Sequence, residues 1–206
     1  MKNLSLLTLL FSIIFTSCYT LVLKDGRKFR ASNLAADKTT VYAMDTTKFV
    51  RRPFKVSDYT NKTAYYNGKR MIVPMRGADL KAFTGTTGKY YLYFLNPTCS
   101  GTVSTLKKLD SLSKSGYNMI IVSERMEYEV IDRRFAKTNF AQYPYYTIET
   151  EDYSNYLLWR KVGFLQEACP ECYEQSPDKI PSAYLLLIED GDVRFINYSS
   201  DENILK

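Results

Sequence analysis

The sequence holds no histidine, only four cysteines and a single tryptophan among its 206 residues. The missing histidine excludes Ser-His-Asp and Cys-His nucleophile activation, and with them His-ligated zinc, copper and haem. The four cysteines, Cys18, Cys99, Cys169 and Cys172, are too few to staple a disulfide miniprotein, so each is read by its own surroundings. Proline (7) and glycine (9) are scarce and 45% of the chain is hydrophobic, which excludes disordered and collagen-like chains. A long membrane-spanning run is also missing: the apolar stretch from Leu4 to Phe15 has 12 residues, and a helix needs about 20 to cross a bilayer. The length suits one domain, or one domain with a sizeable extension.

That short run follows a basic head, Met1-Lys2-Asn3, and leads through the small residues Thr16 and Ser17 into Cys18. The layout is that of a secretory signal. Phe15-Thr16-Ser17-Cys18 resembles the lipobox of bacterial lipoproteins, with Phe15 where Leu is commoner. The resemblance implies removal of residues 1–17, lipidation of Cys18 and anchorage of the mature chain by acyl groups. The alternative is an ordinary signal peptide with an incidental cysteine. Tyr19, Thr20, Leu21 and Val22 include no Asp of the kind that signals inner-membrane retention in many lipoproteins. The expected location is therefore the bacterial cell envelope, on the outer membrane and facing the periplasm. Paired cysteines in that oxidising space are expected as disulfides.

The formal charge of +6 is unevenly spread: residues 19–88 carry +9 and residues 89–206 carry −4. Residues 18–88 read as a basic, β-rich N-terminal extension. Thr20–Leu23 and Lys28–Arg30 flank Asp25-Gly26, while Ala64–Tyr66 and Arg70–Val73 flank Asn67-Gly68. Both dipeptides are hairpin signals. Lys48 to Lys55, with Arg51 and Arg52, is the densest charge cluster, and residues 78–88 read as a junction. Nucleic acid is not expected as a partner of a secreted chain. A solvated face or an anionic envelope surface accounts for the basic residues.

From residue 89 onward, strands and helices alternate. The pattern predicts strands at 89–95, 119–122 and 145–150, helices at 101–115, 126–137 and 152–162, and a hairpin of 183–188 with 193–198 around Asp190-Gly191. Val103, Leu106, Leu109 and Leu112 form the apolar stripe of the first helix. This order predicts an α/β layered domain over residues 89–206 with at least one parallel strand pair.

Cys99 lies between a buried strand and a helix start, in Asn96-Pro97-Thr98-Cys99-Ser100-Gly101-Thr102. Unpaired N–H groups and the positive end of the helix dipole favour a thiolate there and make it a nucleophile. A buried cysteine acting as a small apolar residue is the other reading. Cys99-Ser100-Gly101-Thr102, Ile180-Pro181 and the following Asp190-Gly191 hairpin together resemble the thioredoxin superfamily, above all the redoxin-type thiol-disulfide proteins of bacterial envelopes. The resemblance spans roughly residues 89–198 and implies a thioredoxin-like three-layer fold. It also implies Cys99 as nucleophile, Pro181 as the cis-proline beside it, and Thr102 in place of the resolving cysteine. Thr98 replaces the family's tryptophan, residues 90–95 carry no acid, and Asn96 stands where a peroxidatic threonine would be.

Cys169-Pro170-Glu171-Cys172 is a Cys-x-x-Cys of its own, placed after the third helix. It suits a structural disulfide, a resolving pair for a mixed disulfide on Cys99, or half of a zinc site with no histidine to complete it. No cofactor and no metal are expected. The function implied is thiol-disulfide exchange on secreted or envelope proteins, through Cys99, by a lipid-anchored protein. The alternative is a binding or scaffold lipoprotein of the same fold without catalysis.

Overall fold

The computed structural model describes residues 44–98, 101–148, 153, 157–171 and 185–196, together with two short strands near the N-terminus. Those two, β1 (Thr20–Val22) and β2 (Lys28–Arg30), pair antiparallel with Leu21 opposite Phe29, as the hairpin signal at Asp25-Gly26 predicts.

Every other described strand joins one eight-stranded sheet. In chain order the elements are β3 (Phe49–Arg51), α1 (Val56–Thr60), β4 (Tyr65–Tyr66), β5 (Lys69–Met75) and a 3-10 helix (Gly77–Phe83). Then come β6 (Lys89–Leu95), α2 (Thr102–Lys114), β7 (Asn118–Ser123), α3 (Tyr128–Phe135) and a short 3-10 turn (Asn139–Gln142). The chain continues with β8 (Tyr145–Ile148), α4 (Leu157–Ala168), β9 (Leu185–Glu189) and β10 (Asp192–Phe195). The strand order is β10-β9-β6-β7-β8-β5-β3, with β4 added alongside β5. The run from β6 to β3 is parallel throughout; β9, β10 and β4 are antiparallel to their neighbours.

Alternation along β6 explains the layering. Tyr90, Leu92 and Phe94 face one side, where Leu80 and Phe83 of the 3-10 helix, Tyr59 of α1 and Val162, Phe164 and Leu165 of α4 cover them. Tyr91, Tyr93 and Leu95 face the other, under Leu106 and Leu109 of α2, Ile131 and Phe135 of α3 and Phe140. Burial on both faces is what a parallel strand requires, and it accounts for the unbroken apolar run of β6. Among the described residues no helix is long and apolar enough to cross a membrane.

Residues 44–88, expected as an extension, contribute β3, β4 and β5 to the same sheet and the same two core layers as residues 89–196. The stretch expected as a junction is the 3-10 helix, with Leu80 and Phe83 fully buried. Within α2, Leu106 and Leu109 are buried as expected, but Val103 is 42% exposed, because the face turned to the sheet begins at Thr102. α4 runs to Ala168, six residues past the expected end at Val162. Gly163, inside α4, gives room: a Cβ there would lie 2.6 Å from the ring of Tyr153. The two Gly-containing turns behave as read, with Asn67 and Gly68 at φ 49° and 74°, and Asp190 and Gly191 at φ 52° and 82°.

Candidate functional site

The loop between β6 and α2 is fixed by one residue. The Asn96 carboxamide oxygen accepts the Thr98 N–H (3.1 Å) and the Thr98 hydroxyl (2.8 Å), while the Asn96 carbonyl accepts the Thr102 hydroxyl at 2.5 Å. Pro97 between them is buried, Thr98 is exposed and Thr102 is 4% exposed. The chain therefore leaves the sheet at Leu95 and is helical from Thr102, whose hydroxyl ties back to Asn96. Cys99 and Ser100, between these anchors in sequence, lie outside the described residues. Gly101 is the N-cap of α2 and brings no side-chain oxygen to its first-turn N–H groups.

The hydroxyl of Thr102 has one proton, and Asn96 receives it. Thr102 thus closes the loop, and its donor is not turned to a sulfur. Next to this loop the backbone of β7 adds a rung: the Glu124 N–H donates to the Leu95 carbonyl at 2.9 Å. Glu124 is held from α4 by two cations. Lys161 Nζ pairs with its carboxylate at 2.9 Å, with both side chains largely buried, and also lies 5.0 Å over the Phe94 ring. The fully buried Arg160 donates to the Glu124 carbonyl at 2.8 Å. This buried Glu-Lys-Arg group lies at the carboxyl ends of β6 and β7, and the carboxyl ends of parallel strands are where α/β sheets usually place ligands. Sequence reading missed it. Glu124, Arg160 and Lys161 are ordinary surface types in a linear pattern, and only the packing of α4 on the sheet joins them.

Cys169 ends α4, its N–H bonded to the Leu165 carbonyl at 3.0 Å, and it is disulfide-bonded. Its partner lies outside the described residues, as do Cys18, Cys172, Pro181 and the segment 1–17. The first described residue after Pro181, Leu185, pairs with Tyr93, two positions before β6 ends. α4 itself is clamped upstream. The Gly77 N–H donates to the Tyr153 hydroxyl at 2.8 Å, that hydroxyl donates to Glu167, and Arg76 meets Glu167 at 3.0 Å. Burial pushes the Glu167 carboxyl up, but hydrogen bonds from Tyr153 and Ala78 and the charge of Arg76 outweigh it and leave the pKa below the usual value. Burial, then the hydrogen bond to Glu167, raises the Tyr153 phenol.

A second network lies at the far edge of the sheet. The guanidinium of Arg70 is 4.1 Å from the Tyr145 ring and 4.6 Å from the Tyr65 ring, and donates to the Tyr145 hydroxyl at 2.7 Å and the Ala141 carbonyl at 2.7 Å. Tyr145 in turn donates to Asp132 at 2.5 Å. It fastens β4 and β5 to β8 and α3. No protein-family model, no curated protein and no solved structure matches this chain.

Proposed function

We propose that the chain is a lipid-anchored envelope protein of thioredoxin-like fold that exchanges thiols and disulfides with secreted proteins through Cys99. The observation that carries the reading is the pair of anchors, Asn96 to Thr98 and Asn96 to Thr102, that join the end of a central parallel strand to the start of α2, with an antiparallel hairpin, β9–β10, beside that strand. Helices on both faces of the sheet support it further. Cys99 as a thiolate attacks one sulfur of a substrate disulfide. That S–S bond breaks, a Cys99–substrate bond forms, and the other substrate sulfur leaves as thiolate with the electron pair. A thiolate of Cys169 or Cys172 then attacks the Cys99 sulfur of the mixed disulfide; the Cys99–substrate bond breaks, the second substrate sulfur leaves as thiolate with the electron pair, and a disulfide joins Cys99 to the attacking cysteine. That Cys169 is disulfide-bonded fits both a resolving role and a structural clip; the same steps run backwards oxidise a substrate dithiol.

The rival reading is a binding or scaffold lipoprotein of the same fold without turnover. One observation favours it: the residue at the resolving position, Thr102, spends its hydroxyl on the Asn96 backbone. Alkylation of Cys99 against pH, with trapping by the wild-type chain and by Cys99→Ser, separates the two. A thiolate formed below about pH 7 and substrate adducts lost in Cys99→Ser support exchange. A thiol titrating near about pH 8.5 that traps nothing leaves the binding protein.

A further inference from the structure

We propose that Asn67 is a modification site: the Gly68 nitrogen attacks its side chain, the amide is lost, and isoaspartate is left in the β4–β5 turn. The chain has three Asn-Gly or Asp-Gly dipeptides, of which Asp25-Gly26 lies outside the described residues. The other two form turns of nearly the same shape, with φ of 49° and 74° at Asn67-Gly68 and of 52° and 82° at Asp190-Gly191. Their surroundings differ. The Asp190 carboxylate accepts the Gly85 N–H at 2.5 Å, and a Cβ built on Gly191 would lie 2.2 Å from the Thr84 hydroxyl oxygen. Asn67 and Gly68 are both exposed. Among the described residues no hydrogen bond holds the Asn67 carboxamide, and no atom lies within 4 Å of a Cβ built on Gly68.

The Gly68 nitrogen bonds to the Asn67 carboxamide carbon and gives its proton to water or hydroxide. The carboxamide C–N bond breaks, ammonia leaves, and a succinimide ring closes. Water then opens the ring: addition at the backbone carbonyl leaves isoaspartate, and addition at the side-chain carbonyl leaves aspartate. Glycine crowds the attack least, because it has no Cβ. The ring needs the Gly68 nitrogen turned toward the Asn67 side chain. A type I′ turn, with positive φ at both central residues, holds it away, whereas a type II′ turn presents it. Both turns keep φ positive at the first central residue and both suit a hairpin, so rotation of the one peptide plane between Asn67 and Gly68 interconverts them. The open space at Gly68 permits that rotation, while the Gly85 bond and Thr84 oppose it at Asp190-Gly191. Isoaspartate carries the backbone through the side chain, which adds a carbon to the turn and mismatches the register joining Tyr65 to Arg70 and Tyr66 to Lys69. That register sets the Tyr65 ring against Arg70, so the modification loosens β4 from the Arg70–Tyr145 network.

The test incubates the full chain at mildly alkaline pH, native and in urea, and reads both turns by peptide mass spectrometry with electron-transfer fragmentation, which separates isoaspartate from aspartate. Native Asn67 should react within about threefold of its rate in urea, while isoaspartate at Asp190 should form at least about tenfold more slowly in the native chain than in urea. Exposed Asn61, and Asn118 and Asn139, whose carboxamides donate to Lys89 and Ser113, should stay intact over the same period. Asn67→Gly keeps a glycine-compatible turn and should abolish the product. Against that variant, the purified isoaspartate form should show faster amide exchange along β4 and at Lys69 and Arg70. Asn67 that reacts only in urea, or no faster than Asn61, overturns the proposal, as does equal native protection of Asn67 and Asp190. Aspartate without isoaspartate would mean direct hydrolysis and overturn the ring-closing route. Amides that exchange alike in the modified chain and in Asn67→Gly would defeat the loosening of β4.

Discussion

Thr102 offers a direct test of whether the 96–102 loop is held by one hydroxyl. Thr102→Val keeps the shape of the side chain and deletes the donor to the Asn96 carbonyl; Thr102→Ser keeps the donor and deletes a buried methyl. Losing the bond costs about 1 kcal/mol, and half-exposed Asn96 can recruit water for its carbonyl, which keeps the cost near that value. Losing the methyl from a site 4% exposed costs a similar amount, about 0.8 kcal/mol plus a small cavity contribution. Both variants should therefore lower the urea midpoint alike, with Tm falling by about 2–4 °C each. They should differ locally. In Thr102→Val the amides of Asn96 and of residues 98–101 exchange faster, and the pH midpoint of Cys99 alkylation moves toward that of a free thiol; in Thr102→Ser both stay as in the wild type. Equal exchange and equal alkylation in the two variants would refute the argument that the hydroxyl, rather than packing, fixes the loop.

Gly77→Ala places a Cβ 2.2 Å from the Phe164 carbonyl and 2.4 Å from the Ala168 nitrogen, both backbone, so chemical denaturation should show a loss of about 3 kcal/mol. Glu124→Leu removes the carboxylate that the largely buried Lys161 meets at 2.9 Å and should cost about 3 kcal/mol, while Glu124→Leu with Lys161→Met recovers most of it in a double-mutant cycle. The folded pKa of Glu167 is depressed, so its contribution is present above the unfolded value of 4.5 and is lost as pH falls through the folded value; Glu167→Gln should match the wild type in acid and be less stable at neutral pH. Burial raises the phenols of Tyr59, Tyr145, Tyr146 and Tyr153, so stability complete below about pH 10 should fall as pH rises beyond it, with tyrosinate absorbance appearing together with unfolding.

Local rules were enough where local chemistry decides. Asn67-Gly68 and Asp190-Gly191 mark their turns because left-handed φ is needed there, and the run Lys89–Leu95 marks a strand buried on both faces. They failed where a partner distant in sequence decides. Gly163 sits inside α4 because Tyr153 packs on it, and β3 is a strand because Phe49 is buried beside β5, although its neighbours Arg51 and Arg52 read as solvated. The same holds at the site. The position of the loop before α2 was legible, but the Asn96 clamp and the buried group around Glu124 arise only once β6, β7 and α4 are assembled.

The placement of β8 between β7 and β5 sets a constraint in time as well as in space. β5 ends at Met75 and its parallel partner begins at Tyr145, so a chain that emerges N-terminus first exposes the apolar segment Met71–Met75 long before anything can pair with it. Pro74 limits the hazard on one side of the segment. The Ile72 carbonyl accepts the Arg52 N–H on the β3 side, and strand alternation turns the Pro74 nitrogen the same way, past the last β3 pairing. A stray strand adding there finds no donor, and Lys69 and Arg70 guard the other end of the segment. β5 thus carries its own protection on the β3 side, while the N–H groups of Val73 and Met75 on the other side stay open until β8 arrives.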